Sequence, residues 1–218
     1  MYYTFGHPKE IGDIKNDVRP PIATLREKVK IIAIDDDGFE YADALRKHGF
    51  QITVLNDITD ISAVEAYSIV IADIAGVGLS FRSPFEGAHV IAEIKKRYPN
   101  KYLIAYTGQR FDASYNRFFA LCDASMTKDA GSQEWVEALD EAINVYVDPV
   151  AQWRKARQVI MPQVSPARLM KLEDQYVTAV LKNRRPFQDE QSLVDLPHDA
   201  KAVILGLASN IVFKLLGG

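Results

Sequence analysis

The chain carries a single cysteine, Cys122, which excludes a disulfide framework. A lone thiol in a reducing compartment reads as a small buried hydrophobe. No run of about 18 apolar residues is present, so no hydrophobic segment is long enough to span a bilayer. No basic stretch followed by an apolar core and a cleavage site opens the chain. These absences lead to the expectation of a cytoplasmic protein with no membrane attachment. Net charge is scarce as well: −3 over 218 residues says nothing about partners by itself. What is present is 48% apolar residues, enough for a real core, in a length that allows roughly one to two domains.

The charge is unevenly placed. Residues 152–185 hold eight basic side chains (Arg154, Lys155, Arg157, Arg168, Lys171, Lys182, Arg184, Arg185) against Glu173 and Asp174, a net of +6 that leaves −9 elsewhere. An acidic first part and a basic later segment point to two functional units.

The most informative stretch is Lys30 to Asp37, Lys-Ile-Ile-Ala-Ile-Asp-Asp-Asp. Its apolar, β-branched run predicts a strand buried on both faces, which ends on three carboxylates. In an open parallel sheet, ligands bind at the carboxyl ends of the strands. Three anions at that edge repel one another unless a cation shares them. Oxygen ligands without His or Cys suit Mg²⁺. The plainer alternative is that Asp36 or Asp37 caps the following helix.

From Val29 onward strands and helices alternate. Strands are predicted at 30–35, 51–55, 68–72, 102–106 and 124–127, with helices at 39–48, 60–67, 87–97, 112–121 and 135–145. This alternation implies right-handed crossovers and a doubly wound five-stranded parallel α/β sheet. The strand ends then bring Asp35, Asp36, Asp37, Asp73, Thr107 and Lys128 to one rim. Residues 1–28, broken by Gly6, Pro8, Gly12, Pro20 and Pro21, read as an extended arm with one short helical turn. Tyr2, Tyr3 and Phe5 are candidates to pin it.

Residues 29–147 resemble the receiver domain of two-component response regulators. The matching features are the acidic pair Asp35-Asp36 after the first strand, Asp73 ending the third, Thr107-Gly108 ending the fourth and Lys128 ending the fifth. The resemblance implies that Asp73 is the phosphoacceptor. It implies that Asp35, Asp36, Asp73 and the Ala75 backbone carbonyl hold Mg²⁺. Thr107 would hydrogen-bond the acquired phosphoryl group and Lys128 would pair with it. A histidine kinase or phosphotransfer protein would be the partner, and the chain would not be a turnover enzyme.

Three positions depart from the family. The segment between Asp73 and Gly87 is several residues longer than usual and reads as a loop that gates the rim. Asp129 stands where a proline is normal, and Ser125 where an aromatic switch residue is normal. The same residues also resemble the Asp-x-Asp opening of haloacid dehalogenase-like phosphatases, with Asp35 as nucleophile and Asp37 as acid/base. Phe39 stands in place of the expected Thr or Val, no paired acidic motif follows Lys128, and Asp73 has no task in that reading. A third alternative keeps the receiver fold as a docking module only.

Residues 149–218 read as a small all-α output or dimerisation domain of three short helices, with Ser165-Pro166 as a helix start. Its basic residues would suit nucleic-acid phosphates, but no helix-turn-helix pattern accompanies them. The last predicted helix, 200–216, carries Val203, Ile204, Leu205, Leu207, Ile211, Val212, Phe213, Leu215 and Leu216 in nearly every direction. A helix apolar all round must be buried, and the preceding helices look too short to enclose it. The expectation is therefore a homodimer through this helix.

Overall fold

The computed structural model describes residues 8–15, 20–108, 113–187 and 193–209. The chain divides into two compact units, Pro21–Tyr146 and a second that combines Met1–Pro20 with Val147–Gly218.

The first unit is built on β1 (Lys30–Ile34), β2 (Gln51–Leu55), β3 (Ile69–Asp73), β4 (Tyr102–Thr107) and β5 (Ala124–Thr127). They form one parallel sheet in the order β2-β1-β3-β4-β5. Every residue of β3 (Ile-Val-Ile-Ala-Asp) and β4 (Tyr-Leu-Ile-Ala-Tyr-Thr) is buried, as their apolar centres require when helices cover both faces. Edge strand β5 alternates between half-buried and exposed. The strand order reverses between β1 and β3, so their carboxyl ends sit at the topological switch point where open α/β sheets take ligands.

Around the sheet lie α1 (Ile22–Lys28), α2 (Ala42–Lys47), α3 (Glu86–Arg97), α4 (Asn116–Phe119) and α5 (Ser132–Val147). Helix α1 falls within the stretch read from sequence as an arm. It follows Pro20-Pro21, buries Leu25, and sends Arg26 to Asp140 with Nε at 2.7 Å. Residues 39–48 hold a helix only from Ala42, because Phe39 and Tyr41 turn into an aromatic cluster with Tyr106 and Trp135. The predicted helix at 60–67 is a 3₁₀ turn, Ile61–Val64, whose Asp60 cap accepts from the Ser62 N–H at 2.6 Å. Lys101 closes its far end by donating to the Glu65 and Tyr67 carbonyls, and burial lowers its pKa to about 8. The helix expected at 112–121 is a 3₁₀ turn at Ala113–Tyr115 followed by the single turn α4. Tyr115 and Phe118 pack against Phe85, with ring centroids at 6.1 and 5.1 Å.

The second unit contains α6 (Pro149–Ile160), α7 (Pro166–Leu181) and α8 (His198–Ser209). Asp148 and Ser165 cap α6 and α7 through their side chains, each followed by proline at the first helical position. Trp153, Ile160, Leu172, Tyr176, Val177, Val203, Ile204 and Leu207 form its core. Residues of the N-terminal segment join it, with the Lys9 N–H on Asp174 at 2.7 Å and the Ile11 N–H on Glu173 at 3.1 Å.

The described part of α8 buries Ala200, Val203, Ile204 and Leu207 against its own unit and leaves Leu205 exposed. Helices α6 and α7, of 12 and 16 residues, supply enough apolar surface for that face. For these residues the idea that the helix cannot be enclosed within one chain does not hold. Residues 210–216 of the predicted helix, and Tyr2, Tyr3 and Phe5, lie outside the described residues.

Candidate phosphoacceptor site

Strand β1 ends at Ile34, and Asp35 stays tied to the sheet through its N–H on the Leu55 carbonyl at 3.1 Å. The chain then turns at Gly38, whose φ of 84° is readily open to glycine, and the Gly38 N–H returns to the Asp35 carbonyl at 3.0 Å. This turn leaves Asp35 buried and Asp36 facing water. Asp73, the last residue of β3, is 3% exposed. Carboxylate oxygens of Asp35, Asp36 and Asp73 all lie within 4.8 Å of one another.

Lys128, immediately after β5, reaches this cluster. Its ammonium is 2.6 Å from Asp73 Oδ2 and 3.4 Å from Asp35 Oδ1. Burial raises the Asp35 pKa, with the Asp73 charge adding to the effect and Lys128 opposing it. Burial works against charge on Lys128, but its hydrogen bond and attraction to Asp73, with Asp35 behind, outweigh that and hold its pKa above the ordinary lysine value. Thr107, buried at the end of β4, accepts the Lys128 N–H on its carbonyl at 3.0 Å. The Ala75 N–H donates to Asp73 Oδ1 at 3.1 Å, which seats Ala75 beside the acid. Asp37 is exposed, and its N–H points to Asp35 Oδ1 at 3.3 Å.

The strand-end residues Asp35, Asp36, Asp37, Asp73, Thr107 and Lys128 are therefore on one rim. Three carboxylates without His or Cys match the hard-oxygen preference of Mg²⁺, and exposed Asp36 gives the cluster the open side that an ion keeping several waters needs.

Close approaches around the acids are not visible in a sequence pattern. Gly76, at φ +75°, lies so near Asp36 that a Cβ there would fall 2.3–2.6 Å from its carboxylate atoms. A Cβ on Gly87 would meet the Asp73 carbonyl at 1.9 Å. The segment expected to gate the rim is held by two carboxylates: Glu86 accepts from the Gly76 N–H at 2.7 Å and Asp57 from the Gly78 N–H at 2.5 Å. Val77 and Ile74 are buried beneath it. Gly76→Ala should push Asp36 away and strain the loop. Its expected effect is roughly tenfold weaker Mg²⁺ binding, within the range for changes beside metal ligands. Isothermal titration checks this, and unchanged affinity contradicts it.

The aromatic cluster under Lys128 also escaped the sequence reading. Phe39, Tyr41, Tyr106 and Trp135 meet mostly edge to face, and the Lys128 ammonium lies 5.2 Å from the Tyr106 ring centroid. The available signal was the Phe39-x-Tyr41 pair just after the acidic turn and Tyr106 just before Thr107. Ser125 is exposed on the edge strand, and Asp129 is exposed beside Lys128.

No protein-family model matches this chain, and no curated protein matches it. Among solved structures it is similar to a CheY-like response-regulator receiver domain protein from Methanospirillum hungatei JF-1, at 18% identity and TM-score 0.44 over 54% of this chain and 95% of that one. It is also similar to the receiver domain of NtrX from Brucella abortus, at 19% identity and TM-score 0.43 over 53% and 98%. Vibrio cholerae chemotaxis protein CheY4 matches at 12% identity and TM-score 0.43 over 52% and 98%. The five parallel strands in the order β2-β1-β3-β4-β5, with helices around them, give the first unit a doubly wound α/β fold of flavodoxin-like strand order. No helix among the described residues is long and apolar enough to cross a membrane.

Proposed function

We propose that this protein is a response regulator that accepts a phosphoryl group on Asp73 from a phosphohistidine of a histidine kinase or phosphotransfer protein, and signals through its helical second unit. The supporting observation is the pairing of Lys128 with Asp73 inside a cluster of three carboxylates at the sheet's switch point. Asp35, Asp36, Asp73 and the Ala75 carbonyl would hold Mg²⁺, which supplies charge neutralisation for the transferring group. An Asp73 oxygen attacks phosphorus, the P–N bond of the phosphohistidine breaks, and the imidazole leaves with its electron pair. Lys128 offsets charge on the equatorial oxygens, and the Thr107 hydroxyl donates to one of them. Water later cleaves the acyl phosphate and restores the carboxylate. The chain turns over no other substrate in this reading, and the cytoplasm, where such donors reside, is its compartment.

Incubation with a small phosphodonor and Mg²⁺ should add one acid-labile phosphoryl group, and Asp73→Asn should abolish it. Steady hydrolysis of a generic phosphomonoester that depends on Asp35 and Asp37 would contradict this reading in favour of a phosphatase. A homodimer through the C-terminal helix belongs to the same proposal, supported by the apolar sequence beyond Ser209 and by exposed Leu205. Sedimentation as a monomer at micromolar concentration contradicts that part.

A further inference from the structure

Lys128 reaches its two acids from a short turn at the end of an edge strand, so its backbone must be fixed from elsewhere. Three contacts surround it. Its N–H donates to the Thr107 carbonyl at 3.0 Å. Its side-chain stem passes Gly108, where an added Cβ would lie 3.3 Å from Lys128 Cδ. Its carbonyl accepts the Tyr41 hydroxyl at 2.9 Å, across 87 residues of chain.

Tyr41 itself is well anchored. It immediately precedes α2 in the segment that carries Asp35 and Asp36, its ring meets Phe39 edge-on at 5.5 Å, and it lies 5.8 Å from Trp135. Phe39 and Trp135 are 4% and 0% exposed, so the phenol is mounted on a rigid wall.

We infer that Tyr41 is a positioning residue for phosphoryl transfer, tying the loop that bears the acids to the turn that bears their cation. This rests on the phosphoacceptor reading given above. The hydroxyl touches neither Asp73 nor the reacting atoms; it acts by fixing the Lys128 backbone. A lysine stem has many rotamers, and the ammonium meets Asp73 at hydrogen-bonding distance only if the root of that stem is held. The Thr107 contact secures one end of the Lys128 residue and Tyr41 the other.

The test uses the full chain with Tyr41→Phe, which removes one oxygen and keeps the ring in the cluster. With Mg²⁺ and a small phosphodonor, Asp73 phosphorylation should slow about three- to tenfold, the scale of one lost hydrogen bond. Mg²⁺ affinity should stay within about twofold, because no proposed ligand is changed. The discriminating measurement is the same substitution in a Lys128→Gln background, where it should have no further effect. A merely structural role would slow both backgrounds alike. A second readout needs no phosphorylation: the side-chain NMR signals of Lys128 should shift in Tyr41→Phe. A wild-type rate in Tyr41→Phe, full additivity with Lys128→Gln, or an unmoved Lys128 spectrum would each overturn the inference. A parent chain that takes no phosphoryl group, with Lys128 signals that still move, would overturn the phosphoacceptor reading and with it the role in transfer, while upholding only the hold of Tyr41 on the Lys128 backbone.

Discussion

Lys128→Met is expected to lower the stability of the metal-free protein by about 3 kcal/mol, the lower end of the range for breaking a buried ion pair. Asp35 and Asp73 are 2% and 3% exposed and share this ammonium. Methionine fills the stem's place beside Tyr106 and Gly108 but leaves two close carboxylates facing each other without their cation. The lower end applies because 31% of the Lys128 side chain meets solvent, which softens the pair. Mg²⁺ bound at the same carboxylates should return much of the loss, so the gap between variant and parent should narrow as the metal is added. Phosphorylation of Asp73 should fall roughly a hundredfold, as when one preorganised donor to developing charge is removed. Denaturant melts in chelator and in Mg²⁺ check the first part. Equal stability of variant and parent in chelator contradicts it.

Trp153→Ala is expected to cost about 3–5 kcal/mol in the second unit, the usual range for emptying a large core site. Trp153 is 0% exposed and stacks on Tyr176 with centroids 5.0 Å apart. Its indole N–H donates to Glu173 Oε2 at 2.9 Å, while Glu173 Oε1 takes the Ile11 N–H at 3.1 Å. Removing the indole therefore loosens both the core and the acid that holds the N-terminal segment. Amide exchange at Ile11 should accelerate. Unchanged exchange at Ile11 contradicts the role given to Glu173.

The sheet was legible because buried parallel strands announce themselves: Ile31-Ile32-Ala33-Ile34 and Ile69-Val70-Ile71-Ala72 leave little alternative to two-sided burial. The rim residues were legible for a topological reason, since a parallel sheet delivers every strand end to one edge and the ends here are Asp, Thr and Lys. Helix α1 was not legible. Seven residues after two prolines carry too few apolar positions to show a period, and what fixes Arg26 is Asp140, far along the chain. The same holds for Tyr41 on Lys128, Asp57 on Gly78 and Trp153 on Glu173. Side-chain bonds to distant partners leave no local pattern to read. The inward period of α6 around Trp153 and Ala156 was obscured in the sequence by the Arg154 and Lys155 charges between them and by Arg157 just beyond.

The most direct test is to trap the phosphorylated chain by borohydride reduction, which converts an aspartyl phosphate to homoserine, and to map the peptides. Homoserine at position 73, dependent on Mg²⁺ and absent from Asp73→Asn, is the predicted result. Homoserine at position 35, or at neither position after exposure to an active donor, would contradict the account.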